Sequence, residues 1–348
     1  MSEERAVGPP QVTETPVPLE PPGATDTELG TPAAGRNLGR VLERFGALGF
    51  LVVSFAVFSA LRPQTFPTGV NIESILLSQS MLGLITMGLL LVLAVGEFDL
   101  SLGYVIDFCT MIFGVLTAYH HWNWFPAMLV TLLAGSLSGL VNGILVVRFR
   151  IHSFIATLGT GTVLTGLTIW LTNGQIIDQG LPNQVIWLGQ EQILGIGFPV
   201  YIMVLAVLIF AFLLRSTPFG RSLYAVGGGR EVARLAGLRT ERLIVIAFVV
   251  SGLMAAAAAL IGIGLGGSAH PDVGDQFLLP AYAAAFLGAT TIEPGRFNVW
   301  GTVVAILLLA VLVAGVQQLG APYWVSPVFN GLALVVAVGL ARAREWRT

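Results

Sequence analysis

The sequence predicts an all-α polytopic membrane protein with about ten transmembrane helices, one or two of them broken or half-spanning. Of its 348 residues, 55% are hydrophobic and only 10% are charged, and the mean hydropathy is +0.83. A soluble domain carries charge on about a quarter of its residues. The apolar residues are gathered into ten runs with arginines at their ends, which is typical of a chain that crosses a membrane repeatedly.

The N-terminal segment differs in composition from the rest of the chain. It is rich in Pro, Thr, Gly and Glu and has no apolar periodicity, so residues 1–44 are predicted to form a disordered tail, followed by a transmembrane domain over 45–345. A basic start followed at once by an apolar core is missing, which argues against a signal peptide. Arg36, Arg40 and Arg44 precede the first apolar run and place the N-terminus in the cytoplasm.

The predicted spans follow from the apolar runs, each of which must approach about 20 residues to cross a bilayer. They cover roughly 46–61, 73–95, 104–119, 125–147, 153–172, 198–214, 243–266, 278–290, 298–317 and 327–341. The run 278–290 is short and carries Pro280, and the boundary at 96–103 is polar, so both are candidate half-helices. Threading from a cytoplasmic start leaves Arg62 alone outside and puts the C-terminus in the cytoplasm.

The longest polar stretch between apolar runs is the loop 215–242, which holds six arginines against two acids. Within it, residues 230–237 can form two turns of helix, with Val232, Leu235 and Ala236 on one side. A short helix held at the membrane surface can be bound by another protein. The alternative is an ordinary loop that sets topology.

Composition also excludes several kinds of function. The chain has no lysine, and a Walker A loop needs its lysine, so we expect no ATP hydrolysis by this chain, no enzyme activity and no cofactor of its own. The net charge of −2 argues against a nucleic-acid partner. Cys109 is the single cysteine and lies in an apolar run. The pair His120 and His121 has no carboxylate or further histidine at ligand spacing, so no metal site is expected.

Polar residues within apolar sequence are the candidate substrate path. Glu97, Asp99 and Ser101 lie in GEFDLSLG (96–103), and Asp107 follows in the third span. Charged groups at membrane depth usually face a cavity or a partner, and the flanking glycines permit a broken helix. Alternatively, Asp99 and Ser101 cap the third span. The complete candidate set is Glu97, Asp99, Ser101, Asp107, Asn142 and Thr160. The threonines of the fifth span are expected to return hydrogen bonds to their own helix.

Glycine patterns indicate packing rather than nucleotide binding. Gly135, Gly139 and Gly143 recur every four residues and form a groove on the fourth span, which is expected to receive a helix of the same chain rather than a dimer partner. A G-x-G-x-x-G pattern begins at Gly262. No strand or βαβ unit precedes it, so the pattern gives only very weak support for dinucleotide binding.

Several motifs in order resemble those of the permease subunit of ribose-type ABC importers for monosaccharides. They are GEFDLSLG, then VNGILVVRFRIHSFIATLGTGTVLTGLTIWLTNG (141–174), TPFGRSLYAVGGGREVARLAGL (217–238), FLLPAYAAAFLGATTIEPGRFNVWGT (277–302) and the closing GLALVVAVGLARARE. The resemblance covers roughly residues 45–345. It implies an import permease for a monosaccharide or a related small polar solute, in the bacterial cytoplasmic membrane.

The resemblance also implies partners. A pair of permeases, here a homodimer, would form the pore in the lipid membrane. An ABC ATPase subunit that binds ATP would drive it from the cytoplasm, and an extracytoplasmic sugar-binding protein would deliver the solute. The residues that match the ATPase-docking helix are Arg230, Glu231, Ala233, Arg234, Leu235 and Gly237.

The sequence departs from the family pattern at four places. Glu97 replaces a usual glycine, His152 a usual proline and Asp107 a usual apolar or small residue, and residues 277–280 replace an acidic pair. Acidic Glu97 and Asp107 would suit a polyol or a sugar with a positive group at least as well as ribose.

Two other functional classes remain at this point. An ion-coupled secondary transporter would use intramembrane ionisable residues as a relay, and Asp99 and Asp107 could serve. Transport that persists without ATP and collapses with the ion gradient would identify it. A membrane scaffold or receptor would need a sizeable soluble domain, which the tail hardly supplies.

Overall fold

The structure is a computed structural model, and it describes residues 33–322 and 324–345. The chain divides into two compact units, 1–39 and 40–348. Of the first unit only the start of a helix is described. The helices of the described residues are α1 (Ala33–Leu61), α2 (Gly69–Ala94), α3 (Leu102–Gly114), α4 (Trp124–Arg148), α5 (Ser153–Thr172), α6 (Asn183–Gln190), α7 (Phe198–Ser216), α8 (Pro218–Gly228), α9 (Arg230–Leu235), α10 (Thr240–Gly266), α11 (Asp275–Ala289), α12 (Val299–Gln318) and α13 (Val325–Glu345).

Two short elements complete this part of the chain. A π-helical turn, Val115–Tyr119, continues α3. Strands β1 (Gln192–Ile193) and β2 (Ile196–Gly197) form an antiparallel hairpin between α6 and α7. Every predicted apolar run is a helix, so the prediction of an all-α polytopic membrane protein is confirmed.

Eight helices of the described residues are long and apolar enough to cross a membrane: α1, α2, α3 with its π-helical turn, α4, α5, α7, α10 and α12. The polar boundary at 96–103 does not produce a half-helix. It is a short connection between α2 and α3, and each of these helices reaches spanning length once the π-helical turn is included.

The start of α1 differs from the sequence expectation. The helix begins at Ala33, inside the segment predicted to be disordered up to residue 44. Alanine is the strongest helix former, and two alanines open the helix. The rest of the predicted tail, residues 1–32, lies outside the described residues.

Helix α2 occupies the centre of the bundle. Its residues from Ser80 to Ala94 are buried on every side, and it packs against α7, α10, α11 and α12. This explains why its sequence is apolar all round instead of amphipathic.

The glycine face of α4 packs against α10 of the same chain. A Cβ at Gly139 would overlap the carbonyl group of Phe248, and one at Gly143 would lie 2.9 Å from the Cα atom of Val245. Gly252 of α10 packs directly against Gly135 of α4, since a Cβ on either would overlap the other's backbone carbonyl. The two helices therefore approach to backbone contact.

We expect Gly139→Ala to lower the thermal stability of the purified protein by several degrees. The added methyl group has no space against the Phe248 carbonyl, and overpacking of this kind costs about 1–3 kcal/mol. Gly166→Ala in α5 is the matched control, because a Cβ there meets nothing within 4 Å and alanine favours the helix. Equal melting temperatures for the two variants would contradict the packing described here.

The G-x-G-x-x-G pattern also has a packing role. The Cα atom of Gly264 meets the backbone of Gly189 in α6, where a Cβ on either residue would overlap the other. Gly267 adopts φ of 66° and ends α10. Positive φ is readily adopted by glycine, so this pattern is explained by helix packing and helix termination.

Helix α11 is the half-spanning segment expected over 278–290. With 15 residues it is about 22 Å long, against a hydrocarbon layer of about 30 Å. The chain before it runs alongside α3: a Cβ at Gly114 would lie 3.1 Å from the Cβ atom of Ala269, and one at Gly103 would lie 3.0 Å from the carbonyl carbon of Gly274. Residues 269–274 thus descend beside a membrane span before α11 begins.

Candidate functional site

The connection between α2 and α3, residues 95–101, is not helical and is buried only in part, since Gly96 and Phe98 are exposed. Gly96 adopts φ of 82°, which turns the chain at the end of α2. Asp99 and Ser101 are each only 1% exposed. Buried backbone groups such as the Asp99 amide need hydrogen-bond partners within the protein.

Three consecutive amides of this connection are each satisfied by a side-chain hydroxyl from another helix. The Phe98 amide donates to Ser153 Oγ at 3.1 Å, and the Leu100 amide donates to Thr157 Oγ1 at 3.1 Å; both acceptors belong to α5. The Asp99 amide donates to the Tyr282 hydroxyl of α11 at 2.9 Å. Side chains of two helices thereby hold the connection in place.

The Asp99 carboxylate accepts three further hydrogen bonds. Oδ1 accepts from the Ser101 amide at 3.1 Å and from Ser101 Oγ at 2.6 Å, and Oδ2 accepts from Ser251 Oγ of α10 at 2.9 Å. Burial raises the pKa of this carboxyl, while the bonds from Ser101 and Ser251 act in the opposite direction. Among the described residues Asp99 has no ion-pair partner.

The hydrogen-bonded chain continues from Ser101 into α4 and α5. Asn142 Nδ2 donates to Ser101 Oγ at 2.7 Å, and Thr160 Oγ1 donates to Asn142 Oδ1. Thr157 and Thr160 also bond to the carbonyls of Ser153 and Ala156 in their own helix, as expected for threonines in a span.

The structure thus brings together four of the six candidate substrate-path residues: Asp99, Ser101, Asn142 and Thr160. The first three are buried and hydrogen-bonded to one another, so the group forms a polar network. A direct contact with substrate stays a prediction. The alternative prediction was that Asp99 and Ser101 cap α3. Ser101 makes no side-chain cap bond, whereas the Asp99 carboxylate accepts a hydrogen bond from the Ser101 amide just before α3.

Glu97 lies at the edge of this network and points to another element. Its carboxylate pairs with Arg230 of α9 at 3.6 Å. The backbones are also in contact, since a Cβ at Gly227 of α8 would overlap the carbonyl oxygen of Ala94. The connection 95–101 therefore joins the network to the loop that carries α9.

Helix α9 has two different faces. Ala233 is buried against the bundle, whereas Val232 and Leu235 are 72% and 79% exposed. The helix ends two residues earlier than the predicted range 230–237, because Gly237 adopts φ of 86°. Glu231 and Arg234 pair on the surface at 2.6 Å. The surface available to another protein is thus the pair Val232 and Leu235, which we call the α9 outer face.

Asp107 lies apart from the other candidates, beside the start of the half-helix. Its Oδ1 accepts from the Gly274 amide at 2.7 Å, so it fixes the point where the descending segment turns into α11. Asp272, Asp275 and Gln276 surround this point and are exposed on the single chain. No group of three or more His, Cys, Asp or Glu in the described part of the chain has metal-binding geometry.

Sequence reasoning missed three residues that hold the connection 95–101: Ser251 and Tyr282, which bond to Asp99, and Ser153, which bonds to the Phe98 amide. Each is a lone polar side chain in an apolar run, and nothing in such a run marks which neighbour it meets. Asp272 and Asp275 could have been found. They lie in the polar stretch 268–276 just before the helix already suspected of being short, a combination typical of segments that line a cavity.

Comparison with known proteins gives a consistent result. The family described as "Branched-chain amino acid transport system / permease component" matches residues 71–338. The ribose import permease protein RbsC of Haemophilus influenzae is 31% identical over 308 residues, covering 87% of this chain and 94% of the relative. The L-arabinose ABC transporter permease protein AraH of Azospirillum brasilense is 30% identical over 313 residues, covering 90% and 91%.

A third relative is named for a different solute. The autoinducer 2 import system permease protein LsrD of Escherichia coli is 30% identical over 297 residues, covering 83% of this chain and 88% of the relative. No solved structure matches the chain.

Proposed function

The chain belongs to the family described as the permease component of branched-chain amino acid transport systems, and from that premise we propose that it is the permease subunit of an ABC importer for a monosaccharide or a related small polar solute. Its relatives are named for import of ribose, L-arabinose and autoinducer 2. It is a multi-pass inner-membrane protein. A separate ATPase subunit binds ATP, and an external binding protein delivers the solute.

One observation carries the proposal: a surface helix with an exposed apolar face is tied to a buried polar network between spans. The α9 outer face is free for the ATPase subunit. The Glu97–Arg230 pair connects α9 to residues 95–101, and the Gly227–Ala94 contact joins the neighbouring α8 to the end of α2. From there Asp99 reaches α10 directly, and hydrogen bonds from 98–101 reach α4, α5 and α11.

This arrangement suits the transmission of a movement. When the ATPase subunits close around ATP they displace α9, and the contacts with residues 95–101 carry the displacement to four helices at once. Hydrogen bonds in a buried, low-dielectric site resist separation, so the helices move as packed units rather than deforming singly. The arginine distribution supports a cytoplasmic location for α9 and for both termini.

The solute route is assigned to the start of the half-helix. Asp272, Asp275 and Gln276 are exposed on a segment that runs beside a membrane span, and polar groups at that depth need water or a polar solute. Two copies of the chain would enclose this surface between them. Carboxylate and amide oxygens accept hydrogen bonds from sugar hydroxyls, which suits a monosaccharide or polyol.

The ion-coupled alternative has less support. A relay residue must exchange its proton or ion with water, whereas Asp99 is 1% exposed and its carboxylate already accepts three hydrogen bonds. The relatives, moreover, are named as permeases of import systems.

The test is solute uptake by proteoliposomes that contain the permease with its cognate ATPase. Radiolabelled ribose, arabinose and a polyol are supplied with the binding protein, with or without ATP on the ATPase side. We expect uptake that requires ATP and the binding protein and is unchanged by a protonophore. Uptake that proceeds without ATP and stops when the ion gradient collapses would show a secondary transporter instead.

A further inference from the structure

A basic cavity lies where α7 ends and α12 begins, away from the polar network and from the α9 outer face. Its volume is about 240 Å³. Three arginines line it: Arg215 in the last turn of α7, Arg221 in α8, and Arg296 in the loop before α12. Tyr224, Glu293 and Trp300 complete the part of the wall that matters for recognition.

The positive charge of this cavity is largely uncompensated. Of the three arginines, none forms a salt bridge with another described residue, and Glu293 is the single acidic group of the lining. The Arg296 guanidinium lies over the Tyr224 ring, 3.9 Å from its centroid, and the Tyr224 hydroxyl donates to the Phe297 carbonyl. Arg296 is therefore positioned by a cation–π contact that leaves its N–H groups free for an anion.

An apolar surface leads from the bilayer to this cavity. Val204, Leu208, Ala211 and Arg215 follow one face of α7 at helical spacing, and the first two are exposed. Ala211 and Arg215 line the cavity itself. Trp300, in the first turn of α12, is 41% exposed, and tryptophan is enriched where a span meets the headgroup layer.

We propose that this cavity binds the phosphate headgroup of an anionic phospholipid, whose acyl chains lie along the exposed face of α7. Guanidinium groups suit phosphate because their N–H donors match its oxygens. Basic pockets between the ends of spans are typical sites for such headgroups. A free phosphate would satisfy the arginines but would leave the apolar stripe unexplained, and a docked protein would be expected at the α9 outer face.

The test follows thermal unfolding of the purified full-length permease in dodecyl maltoside by tryptophan fluorescence. Dioleoyl-phosphatidylglycerol is titrated against dioleoyl-phosphatidylcholine and inorganic phosphate. We expect phosphatidylglycerol alone to raise the melting temperature by several degrees. In Arg215→Gln/Arg296→Gln, at least tenfold more of this lipid should be needed for the same shift. Arg148→Gln, at the end of α4, is the matched control and should behave as the parent.

Three outcomes would overturn the assignment. An unchanged titration in the double variant would show that the lipid acts elsewhere. A shift reproduced by millimolar inorganic phosphate would show a free-anion site. Loss of ATPase copurification in the double variant with an unchanged lipid response would show a protein contact. Should the double variant not fold, Arg221→Gln and native mass spectrometry of retained phosphatidylglycerol give the same comparison.

Discussion

Asp99→Ala is expected to abolish solute uptake. The substitution removes the acceptor of three buried hydrogen bonds, from the Ser101 amide, Ser101 Oγ and Ser251 Oγ. A buried donor left without a partner costs about 1–3 kcal/mol, so residues 95–101 would lose their fixed geometry and with it their link to α10. Uptake in proteoliposomes and the amount of folded protein in the membrane are the two measurements.

Asp99→Asn distinguishes a role of Asp99 in hydrogen bonding from a role of its negative charge. Asparagine keeps an oxygen for the two Ser101 donors, and its amide group can donate to the Ser251 hydroxyl, which can rotate to accept. A purely structural role predicts near-parental uptake, whereas a role for the charge predicts a folded complex that hydrolyses ATP and moves little solute. Parental uptake by Asp99→Ala would remove residues 95–101 from the functional account.

The second large effect is expected at the α9 outer face. Val232→Asp/Leu235→Asp places two carboxylates where the proposal puts an apolar contact with the ATPase subunit, and burying an unpaired charge is costly. Copurification of the ATPase should be lost, or its activity should no longer rise when the loaded binding protein is added. The melting temperature of the permease alone should not change, because both side chains are exposed.

Leu194→Asp is the matched control for this experiment. Leu194 is an apolar residue that is 94% exposed in the β1–β2 hairpin, far along the chain from α9, and its substitution should leave the ATPase attached. Ala233→Asp is less informative, because Ala233 is buried within the permease and the change would disturb the fold itself. Normal stimulation in the Val232/Leu235 double variant would show that another surface couples the subunits.

The spanning helices could be predicted from the sequence because each contains an apolar run of nearly spanning length, whereas the short helices α6 and α8 were not predicted. The path of the chain between α10 and α11 could not be predicted either. Residues 268–276 look like an outer loop by composition, and only their contacts with Gly103 and Gly114 of α3 show that they descend beside a span. The start of α1 was also missed. The helix begins at Ala33, well before the apolar run from which it was predicted, because the preceding residues have sufficient helix propensity.

The candidate site was predicted in part. Asp99 and Ser101 were found because carboxylates and hydroxyls are rare in apolar sequence, whereas their partners Ser251 and Tyr282 give no such signal. Glu97 was interpreted as a departure that bears on the solute. Its pairing with Arg230 also connects this residue with α9, and its effect on the solute stays a prediction.

The length of α11 has a consequence for the way the protein is made. A helix of 15 residues with Pro280 inside it is too short to partition alone into a bilayer as it leaves the ribosome. The descending segment before it adds polar backbone that only α3 and the rest of the bundle can cover. We therefore expect membrane integration of residues 267–298 to wait until α12 and α13, against which α11 packs, have been synthesised.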